Sequence, residues 1–388
     1  MSMTLNEIAL QLEATDKKVQ LIYAFNGTGK TRLSREFKNL IAPKIDGEEE
    51  QQTDLANKKI LYYSAFTEDL FYWDNDLLLD AEPKLIIQAN SFTKWVLEAQ
   101  GQGPAIIEYF QKLTNSNVEP EFSPDFTEVS FSKRGGENNT NIKISKGEES
   151  NFVWSVFYCF LDLVVEELSS AEDDRSTNEF NKIKYVFIDD PVTSLDDNHL
   201  IELAVDLAKL VKSSTADLKF IITTHNPLFY NVLSNEFSNK LAKEPKTNPV
   251  VWLYRPGNSM KFRLDKKTGE EFLLTELERK TPFSYHLFLL SEIRTAISDH
   301  QIMKYHFGFL RNILEKTATF LGHDSWENML PKDTDGNPDP FLNRILNLSS
   351  HSAHAGEETG EVEEHDRAKL IELVDFLSSK YGFWKPGV

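Results

Sequence analysis

The chain has 388 residues, a length that suits two domains. Its hydrophobic share of 40% and aromatic share of 12% are enough for globular cores. With 61 acidic against 42 basic residues, the net charge of −19 excludes a protein that nucleic acid coats over its whole surface. The stretch 240–280 is a local exception, with ten Lys and Arg against six Asp and Glu, and suits a solvated hairpin or a surface that faces a polyanion.

Neither a membrane span nor a secretory signal is evident in the sequence. Runs of about 18 apolar residues are absent, and residues 1–20 lack the apolar core of a signal peptide. The single cysteine, Cys159, lies in an apolar run and cannot form a disulfide within the chain. We therefore expect a cytoplasmic protein without a membrane partner.

Apolar runs and helical periodicity alternate through the first two thirds of the chain. Strands are predicted at residues 19–25, 59–66, 184–188, 218–223 and 250–254, and helices at 31–41, 151–168 and 197–212. The segments 128–133 and 141–144 are predicted to pair as a hairpin across a Gly- and Asn-rich turn. Strands that alternate with helices predict an α/β domain with a mostly parallel sheet.

From about Pro282 onwards, helical periodicity dominates the sequence. Helices are predicted at residues 283–298, 303–321, 341–348 and 366–381, and no convincing strand is found among them. We therefore assign residues 1–265 to the α/β domain, 266–281 to a linker and 282–388 to a second, mainly α-helical domain.

The predicted strand at residues 19–25 runs into a glycine-rich turn and then a helix. Residues 24–31, AFNGTGKT, match the P-loop pattern G-x-x-x-x-G-K-[ST], with Ala24 in place of the first glycine. Backbone N–H groups of such a loop surround the β- and γ-phosphates, while Lys30 neutralises phosphate charge and the Thr31 hydroxyl binds Mg²⁺. The predicted nucleotide-binding residues are Asn26, Gly27, Thr28, Gly29, Lys30 and Thr31.

Two later strands end in residues that complete an ABC-type site. The strand YVFIDD ends in Asp189, which would hold Mg²⁺, and Asp190, which stands where ABC proteins usually carry a glutamate that polarises the attacking water. Because aspartate is shorter than glutamate, hydrolysis would be slow or need an adjusted geometry. Asp196 follows at the spacing of a D-loop, and His225 ends the strand FIITTH as a switch histidine does.

The segment ISKGEE, at residues 144–149, stands where ABC proteins carry their signature motif. The Ser145 hydroxyl and the Gly147 amide, at a helix start, can grip the γ-phosphate that a second subunit binds. A signature motif therefore predicts a homodimer of NTPase domains, arranged head to tail. A Q-loop glutamine is not found near residues 64–68, which departs from standard ABC domains.

Together these motifs make the sequence resemble one family, the PrrC-type bacterial anticodon nucleases. The strings that carry the resemblance are VQLIYAFNGTGKTRLSREFK, KILYYSAFTEDLFYWDND, SKGEESNFVWSVFY, KYVFIDDPVTSLDDNHLIELAV, LRNILEKTA and SHS. They extend over nearly the full length of the chain. The expected fold is an α/β ABC-type P-loop NTPase domain followed by a mainly α-helical nuclease domain.

The resemblance implies a function in phage defence. Members of the family cut the anticodon loop of lysine tRNA beside the wobble base and leave a 2′,3′-cyclic phosphate and a 5′-hydroxyl. A type I restriction-modification complex keeps them silent until infection releases them as toxins. The resemblance also implies activation by GTP or ATP with Mg²⁺, binding of dTTP, and a homodimer or higher oligomer.

A candidate nuclease site follows from the same resemblance. The family cleaves RNA with an Arg, Glu and His triad, which falls here on Arg311, Glu315 and His351, with His354 as the alternative histidine. Glu315 and His351 would divide the roles of base and acid, Arg311 would stabilise the charged phosphorane, and no metal would be needed. From spacing alone, Arg311 and Glu315 are more simply a surface ion pair on one helix face.

Other classes of ATPase share the P-loop and signature motifs. A structural-maintenance or DNA-repair ATPase would carry long coiled-coil heptads between the P-loop and the signature, where only about 110 residues without such heptads are found. A defence ATPase with a C-terminal partner-binding module stays open, and a transporter subunit is disfavoured. Candidates for contacts to unstacked bases are Phe283, Tyr285 and His286, with core packing the simpler role for Phe283, and the sequence does not select among them.

Overall fold

In a computed structural model of the chain, the described residues are 2–43, 57–64, 71–74, 83–88, 97, 101–134, 141–191, 197–243, 250–267, 269–277, 285–332, 336–337, 339 and 362–383. The chain divides into two compact units, Met1–Pro282 and Phe283–Val388. Five predicted features lie outside the described residues: Asp196, Phe283, His351, His354 and the helix at 341–348.

The elements are numbered in chain order. The strands are β1 (Val19–Ala24), β2 (Ile60–Tyr63), β3 (Phe71–Asp74), β4 (Lys84–Ile87), β5 (Val118–Phe122), β6 (Glu128–Lys133), β7 (Tyr185–Asp189), β8 (Lys219–Thr224), β9 (Leu241–Ala242), β10 (Trp252–Tyr254), β11 (Ser259–Lys266) and β12 (Phe272–Glu276). The α-helices are α1 (Leu5–Ala14), α2 (Lys30–Ile41), α3 (Gly103–Thr114), α4 (Lys146–Ser169), α5 (Asp197–Ser213), α6 (Pro227–Glu236), α7 (Tyr285–Ser298), α8 (Lys304–Phe320) and α9 (Glu364–Tyr381).

The first unit is built on a six-stranded sheet with the strand order β12-β11-β1-β8-β7-β2. Only β12 is antiparallel to its neighbour, and the other adjacent pairs are parallel. Every residue of β1 and of β7 is buried, as expected of parallel strands that helices cover on both faces. The predicted α/β fold with a mostly parallel sheet is therefore confirmed.

Two smaller sheets and a long buried helix complete the first unit. Strands β3, β4, β6 and β5 form an antiparallel sheet in that order, and β9 pairs with β10. Helix α4 begins at a capping box made by Ser145 and Glu148 and buries residues on every side of its axis, including Trp154 and Phe160. Such a helix lies inside the unit, so its N-terminus is held in place by the core.

One strand prediction in this unit was wrong, and another was confirmed with shorter bounds. Residues 141–144 form no strand: Asn141 has a φ of 61°, outside the extended region, and among the described backbone bonds one, from Ile142 N to Phe131 O at 2.8 Å, joins this segment to β6. The strand at 250–254 is shortened to β10, and it pairs with β9 instead of joining the main sheet.

The stretch 266–281, which the sequence assigns to a linker, contains β12 in the structure. The side chain of Phe272 is 1% exposed and packs in the core with Leu5 and Leu33. Its backbone exchanges two hydrogen bonds of 2.8 Å with Met3. Lys261, on the neighbouring strand β11, is also buried, and its ammonium donates a hydrogen bond to Ser234 O at 2.9 Å. Charged residues such as this one make the two strands hard to recognise in the sequence.

The described part of the second unit is mainly helical. Helices α7, α8 and α9 and a short 3-10 turn at Trp326–Met329 pack around one apolar core, which includes Ile293, Leu310, Leu314 and Leu373. The prediction of a helical C-terminal region is confirmed for this part of the chain. Among the helices that the structure describes, none has the length and apolar content that a membrane crossing requires.

The core position of Phe272 gives a test of where the first unit ends. Phe272→Ala should lower the free energy of unfolding by about 3 kcal/mol, because it removes a buried ring from the sheet edge. Glu271→Ala, at the exposed neighbouring position, should change it by less than about 0.5 kcal/mol. Urea unfolding followed by circular dichroism measures both, and similar small effects would show that this segment lies outside the folded unit.

Candidate functional site

The P-loop connects the end of β1 to the start of α2. Gly27 and Gly29 adopt φ angles of 78° and 93°, which only glycine takes without strain. A Cβ on Gly29 would also lie 3.1 Å from the Phe272 ring. Because the first N–H groups of a helix have no partner within the helix, α2 directs unpaired donors into this loop. The geometry suits a bound phosphate.

Lys30 lies at the centre of this loop with only 7% of its side chain exposed. Its ammonium donates to the carbonyls of Ala24 and Phe25, at 3.2 and 3.3 Å, and to Asn26 Oδ1 at 3.2 Å. Asp190 Oδ2 lies 3.4 Å from the same nitrogen. The buried charge is therefore satisfied by the loop and by the end of β7.

Asp189 is the more deeply buried of the two acids at the end of β7. Its Oδ1 accepts a hydrogen bond of 2.6 Å from the Thr223 hydroxyl, and Ser34 Oγ lies 3.4 Å from its Oδ2. Burial raises the pKa of Asp189 above its usual value, although hydrogen bonds from Thr223 and Thr31 act against the rise. A carboxylate whose charge burial disfavours is well suited to receive a cation.

Asp190 differs from its neighbour in conformation and in charge balance. Its φ of 53° is unusual for a residue with a side chain, and this turn directs its carboxylate toward β8. Oδ2 lies 2.5 Å from Nδ1 of His225, and the Thr224 hydroxyl donates to Oδ1 at 3.3 Å. Burial acts to raise the pKa of Asp190, but the His225 hydrogen bond and the Lys30 charge outweigh it and hold that pKa below its usual value.

The assembled group fits a nucleotide with Mg²⁺. Lys30 and the backbone donors of the loop would hold phosphate oxygens, and the Thr31 hydroxyl with Asp189 supplies the hard oxygen ligands that Mg²⁺ prefers. Asp190 and His225 share one short contact, so a water beside them could be oriented for attack on phosphorus. The structure thus brings together the residues predicted at the ends of β1, β7 and β8.

The predicted signature residues lie on a different part of the first unit. Ser145 is exposed at the N-terminus of α4, where its hydroxyl accepts from Glu148 N at 3.3 Å and donates to Glu148 Oε2 at 2.8 Å. Gly147 is half-buried in the first turn of the helix. Trp73 Nε1 donates to Glu149 at 2.7 Å, which ties this helix start to β3. The cap and the first turn of α4 thus leave the Ser145 side chain exposed to solvent.

Arg311 and Glu315 form an ion pair on α8 in the second unit. Arg311 Nε lies 2.9 Å from Glu315 Oε1, and the two side chains are 22% and 50% exposed. The guanidinium carbon lies 5.4 Å from the centre of the Trp326 ring, which fixes it by a cation–π contact. On the neighbouring face of the helix, Asn312 Oδ1 lies 3.2 Å from Nε2 of His286.

Three residues of these sites were missed from the sequence. Thr223 and Thr224 bond the two aspartates, and the signal for them was present as two hydroxyl residues at the end of an otherwise apolar strand. Trp326 carries no such signal, since it meets Arg311 only through the fold of the second unit.

Comparisons with known proteins place the chain among relatives. It is 50% identical, over 411 aligned residues, to an Escherichia coli protein named anticodon nuclease, and the match covers 99% of this chain and 98% of that one. The AAA domain family matches residues 102–377, which include the ends of β7 and β8 and run into the second unit.

Matches among solved structures include heads of SMC proteins. The Smc head bound to the C-winged helix domain of ScpA has a TM-score of 0.32 and 11% identity, covering 68% of this chain and 92% of that chain. The SMC head domain from Thermotoga maritima has a TM-score of 0.30 and 13% identity, covering 68% of this chain and 91% of that chain.

The two aspartates should respond in opposite ways to removal of their charge. The lowered pKa of Asp190 gives stability that is present at neutral pH and lost as the pH falls through that pKa, so Asp190→Asn should destabilise the nucleotide-free protein at pH 7 and progressively less below pH 4. The raised pKa of Asp189 means that its charge costs stability once the pH exceeds that pKa, so Asp189→Asn should stabilise the protein at pH 7.

Thermal unfolding of the two variants and the wild type between pH 3 and pH 7 measures this pair of effects. Each variant is the matched control of the other, because both replace one carboxylate by an amide of the same size. Changes of equal sign at pH 7 would contradict the assigned charge balance.

Proposed function

The chain belongs to the anticodon nuclease family, and we therefore propose that it cleaves the anticodon loop of lysine tRNA beside the wobble base. The observation that carries the proposal is the 50% identity over 99% of the chain to the Escherichia coli anticodon nuclease. The products would be a 2′,3′-cyclic phosphate and a 5′-hydroxyl. The cell would use this cut in the cytoplasm against phage, with a type I restriction-modification complex holding the enzyme silent until infection.

Arg311, Glu315 and His351 would carry the cleavage. One of Glu315 and His351 takes the proton of the ribose 2′-hydroxyl, whose oxygen then forms a bond to phosphorus. The bond from phosphorus to the 5′ oxygen breaks, and the other residue protonates that oxygen. Arg311 stabilises the negative charge that develops on the phosphorane oxygens. No step of this scheme requires a metal ion.

The exposure and anchoring of the Arg311–Glu315 pair support this role. Half of the Glu315 side chain is exposed, so a ribose can reach its carboxylate. Leu310 and Leu314, next to the pair, are buried in the core and fix the direction in which α8 presents it. Since general acid–base catalysis depends on atoms held within hydrogen-bond distance, a helix fixed by its core is a suitable platform.

The nucleotide site would regulate the nuclease. The first unit would bind GTP or ATP with Mg²⁺, and also dTTP, through the P-loop, Asp189, Asp190 and His225. A second copy of the chain would add Ser145 and Gly147 to the same nucleotide, with Asp196 near the contact, to form a homodimer or a higher oligomer. Ser145 is exposed at the start of a helix, and this position supports its role. Closure of the dimer would then activate the helical nuclease unit.

Loss of any one catalytic side chain should strongly slow cleavage and leave nucleotide hydrolysis intact. We expect Arg311→Ala, Glu315→Gln and His351→Ala each to slow the cutting of lysine tRNA by about 10²- to 10⁴-fold, the range that one acid, base or charge-stabilising group contributes. Lysine tRNA incubated with each variant, followed by mapping of the RNA termini, reports substrate, cut position and end chemistry together.

Lys369→Ala serves as the matched control, because it breaks an ion pair of the same kind, with Glu372 at 2.7 Å, on another helix of the same unit. It should cut at the wild-type rate. Undiminished cleavage by His351→Ala, with loss in His354→Ala, would move the histidine's role by three residues. Wild-type cleavage that stops in EDTA would refute the metal-free scheme, and a partner-binding ATPase would cut no tRNA at all.

Removal of the P-loop lysine should separate regulation from chemistry. Lys30→Ala deletes the ammonium that would bind the phosphates, so nucleotide should no longer change its rate of tRNA cleavage, while the basal rate without nucleotide persists. Cleavage assays with and without GTP, ATP and dTTP measure this response. A variant that still responds fully to nucleotide would exclude the P-loop as the regulatory site.

A further inference from the structure

Gly308 lies inside α8, on the same face of the helix as Glu315, which follows it by almost two turns. Glycine destabilises a helix relative to alanine, because it loses more conformational freedom on folding. Packing within the unit does not require a glycine here. A Cβ built on Gly308 would meet no described atom within 4 Å, apart from its chain neighbours and the backbone of the helix. The helix therefore carries the less stable residue on an open surface.

Four side chains surround this bare stretch of backbone. Residues three and four apart are neighbours on a helix surface, which gives Lys304, Tyr305, Arg311 and Asn312. Lys304 and Arg311 are seven residues apart and lie on one side of Gly308, whereas Tyr305 and Asn312 lie on the other. Oδ1 of Asn312 lies 3.2 Å from Nε2 of His286. Gly308 thus separates two cations from an aromatic ring and an amide.

The Tyr305 ring is suited to stacking against a flat, uncharged group. It is 55% exposed, and the rings of His306 and Phe309 support it, with centres 4.1 and 5.2 Å from its own. Burial, and then the negative charge of Glu292 on α7, raise the pKa of Tyr305 above its usual value. Because a phosphate would be repelled by Glu292, this side of Gly308 favours a base.

The opposite side of Gly308 suits a phosphate. Lys304 supplies a positive charge, and the Arg311 guanidinium, which lies against the Trp326 ring, carries five N–H donors in a geometry that matches phosphate oxygens. At a rise of 1.5 Å per residue, Gly308 precedes Arg311 by about 4.5 Å along the helix. A chain that lies over Gly308 therefore continues directly to the residues of the proposed cleavage.

Single-stranded RNA meets both conditions, since each nucleotide carries a charged phosphate and a flat base that stacks on aromatic rings. Glycine also permits the close approach of a ligand to the backbone. We propose that the substrate strand crosses α8 at Gly308, with a phosphate beside Lys304 and Arg311 and a base on Tyr305. Gly308 and Tyr305 are then positioning residues, which align the strand for cleavage and take no part in the chemistry.

This inference rests on the proposed function for the identity of the RNA, and the test keeps the two apart. Cleavage of lysine tRNA and of a total tRNA pool by the wild-type full chain is scored first. Binding is then measured with the anticodon stem-loop of lysine tRNA, whose loop carries 2′-fluoro groups that remove the nucleophile. The Kd for this RNA and the thermal unfolding temperature are determined for Gly308→Ala, Gly308→Leu, Tyr305→Ala and Tyr305→Phe.

The two Gly308 variants should change folding and binding in opposite directions. Both should unfold at or above the wild-type temperature, because they place good helix formers on an open surface. Gly308→Leu should weaken RNA binding by about 5- to 100-fold, the range for loss of one stacked base, and Gly308→Ala by less. Ser379→Leu, which adds the same side chain at an exposed position of α9, should bind as the wild type.

Tyr305→Ala should weaken binding to a similar degree, and Tyr305→Phe, which keeps the ring, should not. A protein with both Gly308→Leu and Tyr305→Ala should bind no more weakly than the poorer single variant, because both changes remove contact with one nucleotide. The kcat/KM for cleavage of the natural tRNA should fall with the binding. A double variant whose losses simply add would overturn the inference.

Wild-type affinity in Gly308→Leu would also overturn it. So would a change of oligomeric state in Gly308→Leu, measured by light scattering, with an unchanged Kd, since a second protein chain would then occupy this face. A wild type that cuts a different tRNA refutes only the proposed substrate, and the variants are then compared on the stem-loop of that tRNA. A wild type that neither binds nor cuts any tRNA refutes both.

Discussion

The nucleotide site depends on one buried charge, the ammonium of Lys30. Two backbone carbonyls, Asn26 and Asp190 surround it, and together they replace the water that the charge has lost. A buried ion left without partners would cost several kcal/mol, so the P-loop and the end of β7 constrain each other. Phosphate oxygens that enter this site compete directly with Asp190 for Lys30. Nucleotide binding therefore changes the surroundings of Asp190, and through it those of His225.

The order of strands explains why such distant segments meet. The P-loop follows β1, the two aspartates end β7 and follow it, and His225 follows β8, which lies between the other two. In a parallel sheet all these carboxyl ends lie at one edge, where α/β proteins bind their ligands. Thr223 and Thr224, at the end of the middle strand, then bond one aspartate each. Burial nevertheless raises the pKa of Asp189 against the Thr223 bond, whereas the His225 hydrogen bond and the Lys30 charge lower the pKa of Asp190.

The sequence predicted most of this site because its chemistry is local. Phosphate binding needs a glycine-rich turn, and the acids must directly follow an apolar strand. Each motif can therefore be recognised from its own segment of sequence. A hairpin was one interpretation of residues 240–280, and β11 and β12 form one, but the sequence did not locate these strands because Lys261 and Glu276 make their segments look like surface. Lys261 is in fact buried and bonded to a helix that is distant in sequence. The segment 141–144 was predicted as a strand from its own pattern, yet it contributes one described backbone bond to β6 and forms no strand. Strand pairing is decided by the whole fold and not by the segment.

Within the proposed cleavage scheme, α8 alone is not a complete active site. An exposed ion pair on one helix is common, and its strength of a few tenths of a kcal/mol says little about function. What distinguishes Arg311 is its contact with Trp326, which holds the guanidinium in place before any substrate arrives. Acid–base cleavage of RNA needs two proton-transfer groups, and the helix supplies one carboxylate. The second must come from another segment, so the placement of that segment, and not the strength of the Arg311–Glu315 pair, would determine when the enzyme cuts.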